Sequence, residues 1–111
     1  MEETLVEKAK EYYRNALDAE KKGDYNTSVT LFFKTISGLA DLYIYRKEKI
    51  IPSSHTDRFR ILEAKYKEIY KIVDRNFPVY QESYRAKLNL QFCEVLKEDA
   101  EQLFRILEIK I

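Results

Sequence analysis

Tryptophan is absent from this sequence. Cysteine, histidine and methionine occur once each, glycine and proline twice each. A lone cysteine, Cys93, excludes an internal disulfide, and one cysteine with one distant histidine offers no ligand cluster for zinc. Neither glycine has the neighbours of a glycine-rich phosphate loop. No apolar run approaches the ~20 residues of a membrane span, and the opening MEETLVEKAK, charged from residue 2, is unlike a signal peptide. These absences predict a soluble, cytoplasmic protein with no metal, no other cofactor and no membrane partner. Neither sign of charge prevails: the formal net charge is +1. That argues against nucleic-acid binding through bulk charge but leaves room for a local basic patch.

What is present is a helical rhythm. The 111 residues suffice for one domain, 1–111, and at 45% hydrophobic they supply a core. Between the rare glycines and prolines the apolar residues recur at spacings of three and four, never in alternation. Leu5, Ala9, Tyr12, Ala16 and Ala19 predict a first helix over residues 3–22, with Gly23 as its C-terminal cap. Asp24 is the candidate N-cap of a second helix reaching Lys49, carried by Tyr25, Val29, Phe32, Ile36, Leu39 and Tyr43. So short a connection predicts an antiparallel hairpin. Gly38, with Ser37 and Ala40, makes a patch of small residues suited to close approach of another helix, or is a tolerated accident. After IIPSSHT, a third helix is predicted over 55–76 on Phe59, Leu62, Tyr66, Ile69 and Val73, ended or bent by Pro78. A short helix over 79–87 follows, then a last one over 89–109 on Phe92, Leu96, Ala100, Leu103 and Leu107. The expected architecture is all-α: an up-and-down antiparallel bundle of four long helices plus one short helix.

Two resemblances arise from particular stretches. AEKKGDYNTSVTLFFKTI is similar to one hairpin of a tetratricopeptide unit, which would imply a peptide-binding scaffold; a solenoid repeats that unit about every 34 residues, and here it occurs once. Taken together, ALDAEKKGDYNTSV, the aromatic helix LFFKTISGLADLYIYRKEK followed by IIPSSH, and YRAKL ahead of VLKEDAEQLFRILEI resemble the HEPN domain family of small archaeal and bacterial helical bundles. That resemblance implies dimerisation and a role near nucleotides or RNA. Many members pair with a nucleotidyltransferase-type protein as toxin and antitoxin, and active members are metal-independent ribonucleases. The ribonuclease members carry an arginine a short interval before a histidine. Here eight residues separate Arg46 from His55, five separate Lys49 from it, and no histidine follows Arg85.

The candidate site residues follow from charge and position. Ser54 and Asp57 have the spacing of a capping box, which puts His55 in the first turn of a helix. The positive end of the helix dipole disfavours imidazolium there, so a neutral ring able to act as a general base is expected. If it attacks RNA, Arg46, Lys49 or Arg58 is the expected cation for the phosphate; otherwise His55 is a helix-start residue or a phosphate contact. From Arg46 to Arg75, nine cations face five anions. Arg60, Lys67 and Lys71 are predicted to share one helical face, either as a phosphate track or as a salt-bridged solvated face. The expected function is therefore a HEPN-like binding and dimerisation module for a nucleotide, RNA or nucleotidyltransferase-type partner. Its candidate contacts are Lys49, Arg58, Arg60, Lys67, Lys71 and Arg85. The alternative is a ribonuclease using His55 with Arg46.

Overall fold

The computed structural model describes residues 1–111 and contains five helices and no strand. Helix α1 spans Glu2–Lys21, α2 Tyr25–Glu48, α3 His55–Lys65, α4 Lys67–Glu82 and α5 Leu90–Ile106. The all-α class agrees with the three-four spacing of the apolar residues. No helix is long and apolar enough to cross a membrane.

Gly23 ends α1 as expected. Its φ of +79° lets its N–H reach the Glu20 carbonyl while the Asp24 N–H reaches back to Ala19, which is the paired closure of a glycine-capped helix end. Asp24 occupies the N-cap position of α2, but its side chain makes no capping bond. The chain reverses within these residues, and α1 and α2 lie antiparallel. Ser28 Oγ donates to the Ala16 carbonyl, Tyr13 packs on Phe32, and Arg46 reaches Glu2. A Cβ built on Gly38 would lie 4.0 Å from that of Ala9. This is ordinary contact, so the small-residue patch faces α1 without requiring glycine.

Helix α2 runs through the middle of the molecule. Val29, Phe32, Phe33, Ile36, Leu39, Ala40, Leu42 and Ile44 are all buried. They occupy most of its circumference and leave only a strip through Thr27 and Lys34 exposed. Helix α5 runs alongside α2 in the same sense, with Cys93 near Tyr25 and Arg46 donating to the Leu107 carbonyl. Helix α4 runs the opposite way, with Tyr66 near Tyr43 and Ser83 near Thr30.

Three expectations are corrected. The predicted third helix is two: the chain breaks at Tyr66, whose φ of −132° and ψ of 67° are not helical. Its ring packs edge-on to Tyr43, and its hydroxyl donates to Glu48 at 2.6 Å. The anchor on α2 thus sets the joint, and α3 folds back so that Phe59 meets Tyr70 and Phe77. Pro78 neither stops α4 nor separates a short helix over 79–87. It lies inside α4, which runs on to Glu82, and residues 83–89 form the turn into α5. At the start of α5 the core side chain is Cys93, fully buried, whereas Phe92 is 39% exposed. Cys93, Leu96, Ala100, Leu103 and Leu107 keep the three-four spacing as well as the set beginning at Phe92 does.

Two polar side chains pin the turn and the α4–α5 contact. Asn26 donates to the Ser83 and Ala86 carbonyls and accepts from the Leu88 N–H. Asp99, 7% exposed, receives two bonds from Arg75 and one from Asn76.

The two glycines should respond oppositely to one substitution. Gly23→Ala forces a side chain into the left-handed region and should cost about 1 kcal/mol. Gly38→Ala adds a helix-favouring methyl at ordinary contact distance and should stabilise by up to about 1 kcal/mol. Denaturant midpoints of the two variants check both signs.

Candidate functional site

His55 is the first residue of α3. Ser54 Oγ accepts from the Asp57 N–H at 3.1 Å, and the Asp57 carboxylate accepts from the Ser53 N–H at 3.1 Å. The capping box forms, with its return bond one residue earlier than usual. This closure orients the first turn, and the exposed His55 lays one side of its ring against Phe33, Phe77 and Tyr80, with ring centroids 6.1, 5.4 and 6.0 Å away. Phe33 and Tyr80 are themselves stacked at 4.5 Å.

One helical turn on, Arg58 is 8% exposed. Its Nε and Nη2 donate to the two carboxylate oxygens of Asp41 on α2, at 2.7 and 3.0 Å. Its Nη1 lies 2.8 Å from His55 Nδ1. A guanidinium has no lone pair to offer, so it donates here and Nδ1 accepts. The neutral ring therefore carries its proton on Nε2. Burial and the Arg58 cation push the imidazole below its ordinary pKa, against an upward pull from Asp41. That direction favours the neutral ring expected at the helix start, with partial burial as the larger cause. Its accepting nitrogen, however, is already engaged, so the ring offers a proton on Nε2 rather than a base.

These residues border a cavity of about 200 Å³ among α1, α2, α3 and α4. Its polar lining is Lys8, Lys34, Ser37 and Asp41 with His55 and Arg58; Tyr12, Phe33 and Tyr80 supply rings. Lys34 sits 5.9 Å above the Tyr12 ring. Neither Lys8 nor Lys34 takes part in an ion pair. Asp41 offsets Arg58, and the lysines leave the cavity with an uncompensated positive charge. Such a lining suits an anion with a flat or apolar neighbour. No His, Cys, Asp and Glu side chains gather into a metal-binding group.

Of the charged and titratable candidate site residues, only His55 and Arg58 meet in this cavity. Arg46 instead ties the Leu107 carbonyl at 2.7 Å and Glu2 at 3.1 Å. Lys49 caps α2 in a left-handed conformation, its amine over Tyr45. Arg60 is paired with Asp57 and Arg85 with Glu82, both on the surface. Lys67 donates to the Glu63 carbonyl, and Lys71 is exposed. Because the chain breaks at Tyr66, Arg60 lies on α3 while Lys67 and Lys71 lie on α4, so the single helical face predicted for them does not form. The residues that sequence reasoning missed are Lys8, Lys34 and Asp41. A signal existed: Lys34, Ser37, Gly38 and Asp41 fall at helical positions one turn apart, a polar stripe along an otherwise apolar helix.

The His55 ring should titrate below 6.5, with its proton on Nε2 in the neutral form, as read by ¹⁵N and ¹H shifts across a pH series. The folded pKa lies below the unfolded one, so the neutral ring contributes stability above about pH 6.5. That contribution is lost as pH falls through the lowered folded value. Urea midpoints at pH 7 and 5 should therefore separate more for the natural protein than for His55→Ala.

No protein family, curated protein or solved structure matches the chain.

Proposed function

We propose that the chain is a HEPN-like, non-catalytic binding module that takes a nucleotide or RNA phosphate into the cavity bordered by His55 and Arg58. The observation that carries this reading is the Asp41–Arg58–His55 chain of hydrogen bonds. It holds a neutral imidazole with a free N–H beside two unpaired lysines. Donors and cations in one recess recognise phosphate; a general base needs a free lone pair within reach of its proton, and here Nδ1 is taken by Arg58.

The proposed architecture is an up-and-down bundle of α1, α2, α4 and α5, with α3 as the short extra helix. It is supported by the antiparallel contacts of α1 with α2 and of α2 with α4, and by the same-sense run of α2 and α5. A homodimer, and association with a nucleotidyltransferase-type protein, belong to the same proposal. Phe92 and Val95, exposed at 39 and 52% and one turn apart on α5, support a covered surface.

Binding of nucleotides and a short RNA, measured at two salt concentrations, tests the reading. Affinity should fall with salt, and Lys8→Glu with Lys34→Glu should lower it roughly tenfold or more. Arg60→Glu, Lys67→Glu and Lys71→Glu together should change it little; the reverse ranking would move the site to the α3–α4 surface. Metal-free RNA cleavage leaving cyclic phosphate ends and lost in His55→Ala would overturn the non-catalytic assignment. Light scattering should show a dimer at high concentration.

A further inference from the structure

Two features of the cavity are left over once its internal bonds are counted. Three of the five N–H groups of the Arg58 guanidinium are used, two on Asp41 and one on His55. Two remain on a residue only 8% exposed. Ser37, 7% exposed and in the wall of the same cavity, has a buried Oγ with no hydrogen-bond partner. Elsewhere in the molecule only Glu20 Oε1 shares that condition. Unpaired buried polar atoms are rare in folded proteins, and each one calls for a cause. Around this unused capacity stand the His55 Nε2–H and the amines of Lys8 and Lys34.

From this arrangement we infer that the cavity receives a terminal phosphate, a phosphomonoester, in preference to the internal phosphodiesters of a nucleic-acid backbone. This rests on the reading of the cavity as a phosphate site.

Charge is the first argument. Arg58 is already neutralised by Asp41, which leaves two lysines without counter-ions. A phosphomonoester carries −1.5 to −2 at pH 7 and matches them, whereas a diester carries a single charge. Donor number is the second. The guanidinium N–H groups, the Ser37 hydroxyl, the imidazole N–H and two ammonium groups outnumber what two free diester oxygens accept. They suit the three terminal oxygens of a monoester. Size is the third. A cavity of about 200 Å³ lies below the ~300–1,000 Å³ of sites that enclose drug-sized ligands. It holds a phosphate and the first atoms behind it, and leaves the rest of a longer ligand outside. The rings of Tyr12 and Tyr80, half-buried in the same lining, supply apolar surface beside whatever the phosphate carries.

The experiment compares adenosine 5′-monophosphate with adenosine, and a short oligoribonucleotide bearing a 5′-phosphate with the same strand bearing a 5′-hydroxyl. Binding is followed by calorimetry and by ³¹P line broadening. Each phosphorylated ligand that binds should do so at least tenfold more tightly than its unphosphorylated partner. That preference should shrink in Lys34→Glu and in Ser37→Ala, two variants that leave the Asp41–Arg58 pair intact. Binding of the mononucleotide alone identifies a free nucleotide as the source of the phosphate; binding of the 5′-phosphorylated strand alone identifies an RNA end. Equal affinity for the 5′-phosphate and 5′-hydroxyl strands would overturn the monoester preference while leaving RNA binding standing. No binding of any of the four would overturn both.

Discussion

Helix α2 turns most of its circumference away from water. Its buried residues run from Ser28 to Ile44 and leave only a narrow strip through Thr27 and Lys34 exposed. A helix so largely apolar is stable only when enclosed, and the other four helices do the enclosing. This constraint decides more than the core. The polar side chains that α2 carries toward its neighbours find partners there, Ser37 excepted, because a buried unpaired group costs about 1–3 kcal/mol. Ser28 uses the Ala16 carbonyl, Thr35 the Leu31 carbonyl of its own helix, and Asn26 the turn between α4 and α5. Asp41 needs a cation, and α3 brings Arg58. The short helix is thereby held against α2 by an ion pair whose side chains are 10 and 13% exposed.

Such a pair is an uncertain source of net stability. Desolvation of two charges offsets much of their attraction, yet losing one partner strands the other at a cost of about 3–5 kcal/mol. What the pair supplies is position. The two-pronged contact fixes the guanidinium plane, and the third donor then fixes the His55 ring. The Asp99–Arg75–Asn76 cluster does similar work between α4 and α5, with three donors converging on one carboxylate. One cluster borders a cavity and the other does not. The difference lies in what surrounds the charges: Lys8, Lys34 and unused donors in the first case, a fully engaged carboxylate in the second.

Much of the fold was legible because glycine and proline are so scarce that each position carries weight. Gly23 and the IIPSSH break mark real boundaries. The misplacements share one cause, which is that contact across the fold outweighed local signals. Nothing near Tyr66 breaks a helix locally; its hydroxyl on Glu48 and its ring on Tyr43 do so from α2. Pro78 should locally end a helix, yet the packing of Phe77 and Tyr80 around Phe33 and His55 carries α4 past it. In α5, Phe92 and Cys93 begin equally regular stripes, and only the direction of α2 chooses between them. The site was half visible for a related reason. The capping box placed His55 from adjacent residues and Arg58 follows one turn on, whereas the rest of the lining comes from α1, α2 and α4, which no local spacing joins to it.

The relation of His55 to arginine shows how far position along a chain can mislead about chemistry. The family pattern points to an arginine before the histidine, yet Arg46 is spent at the far end of α2 on Glu2 and the Leu107 carbonyl. The arginine that governs the ring is Arg58, one turn after it on the same helix. An arginine bonded to the imidazole holds the ring neutral and fixes its tautomer, because a second positive charge at that distance is costly and the guanidinium can only donate. An imidazole so held must release Arg58 before Nδ1 can take a proton. That release would leave the buried guanidinium short of a partner, while donation from Nε2 costs nothing of the kind. The same bond that places His55 in the cavity therefore makes Nε2 a readier donor than Nδ1 is an acceptor.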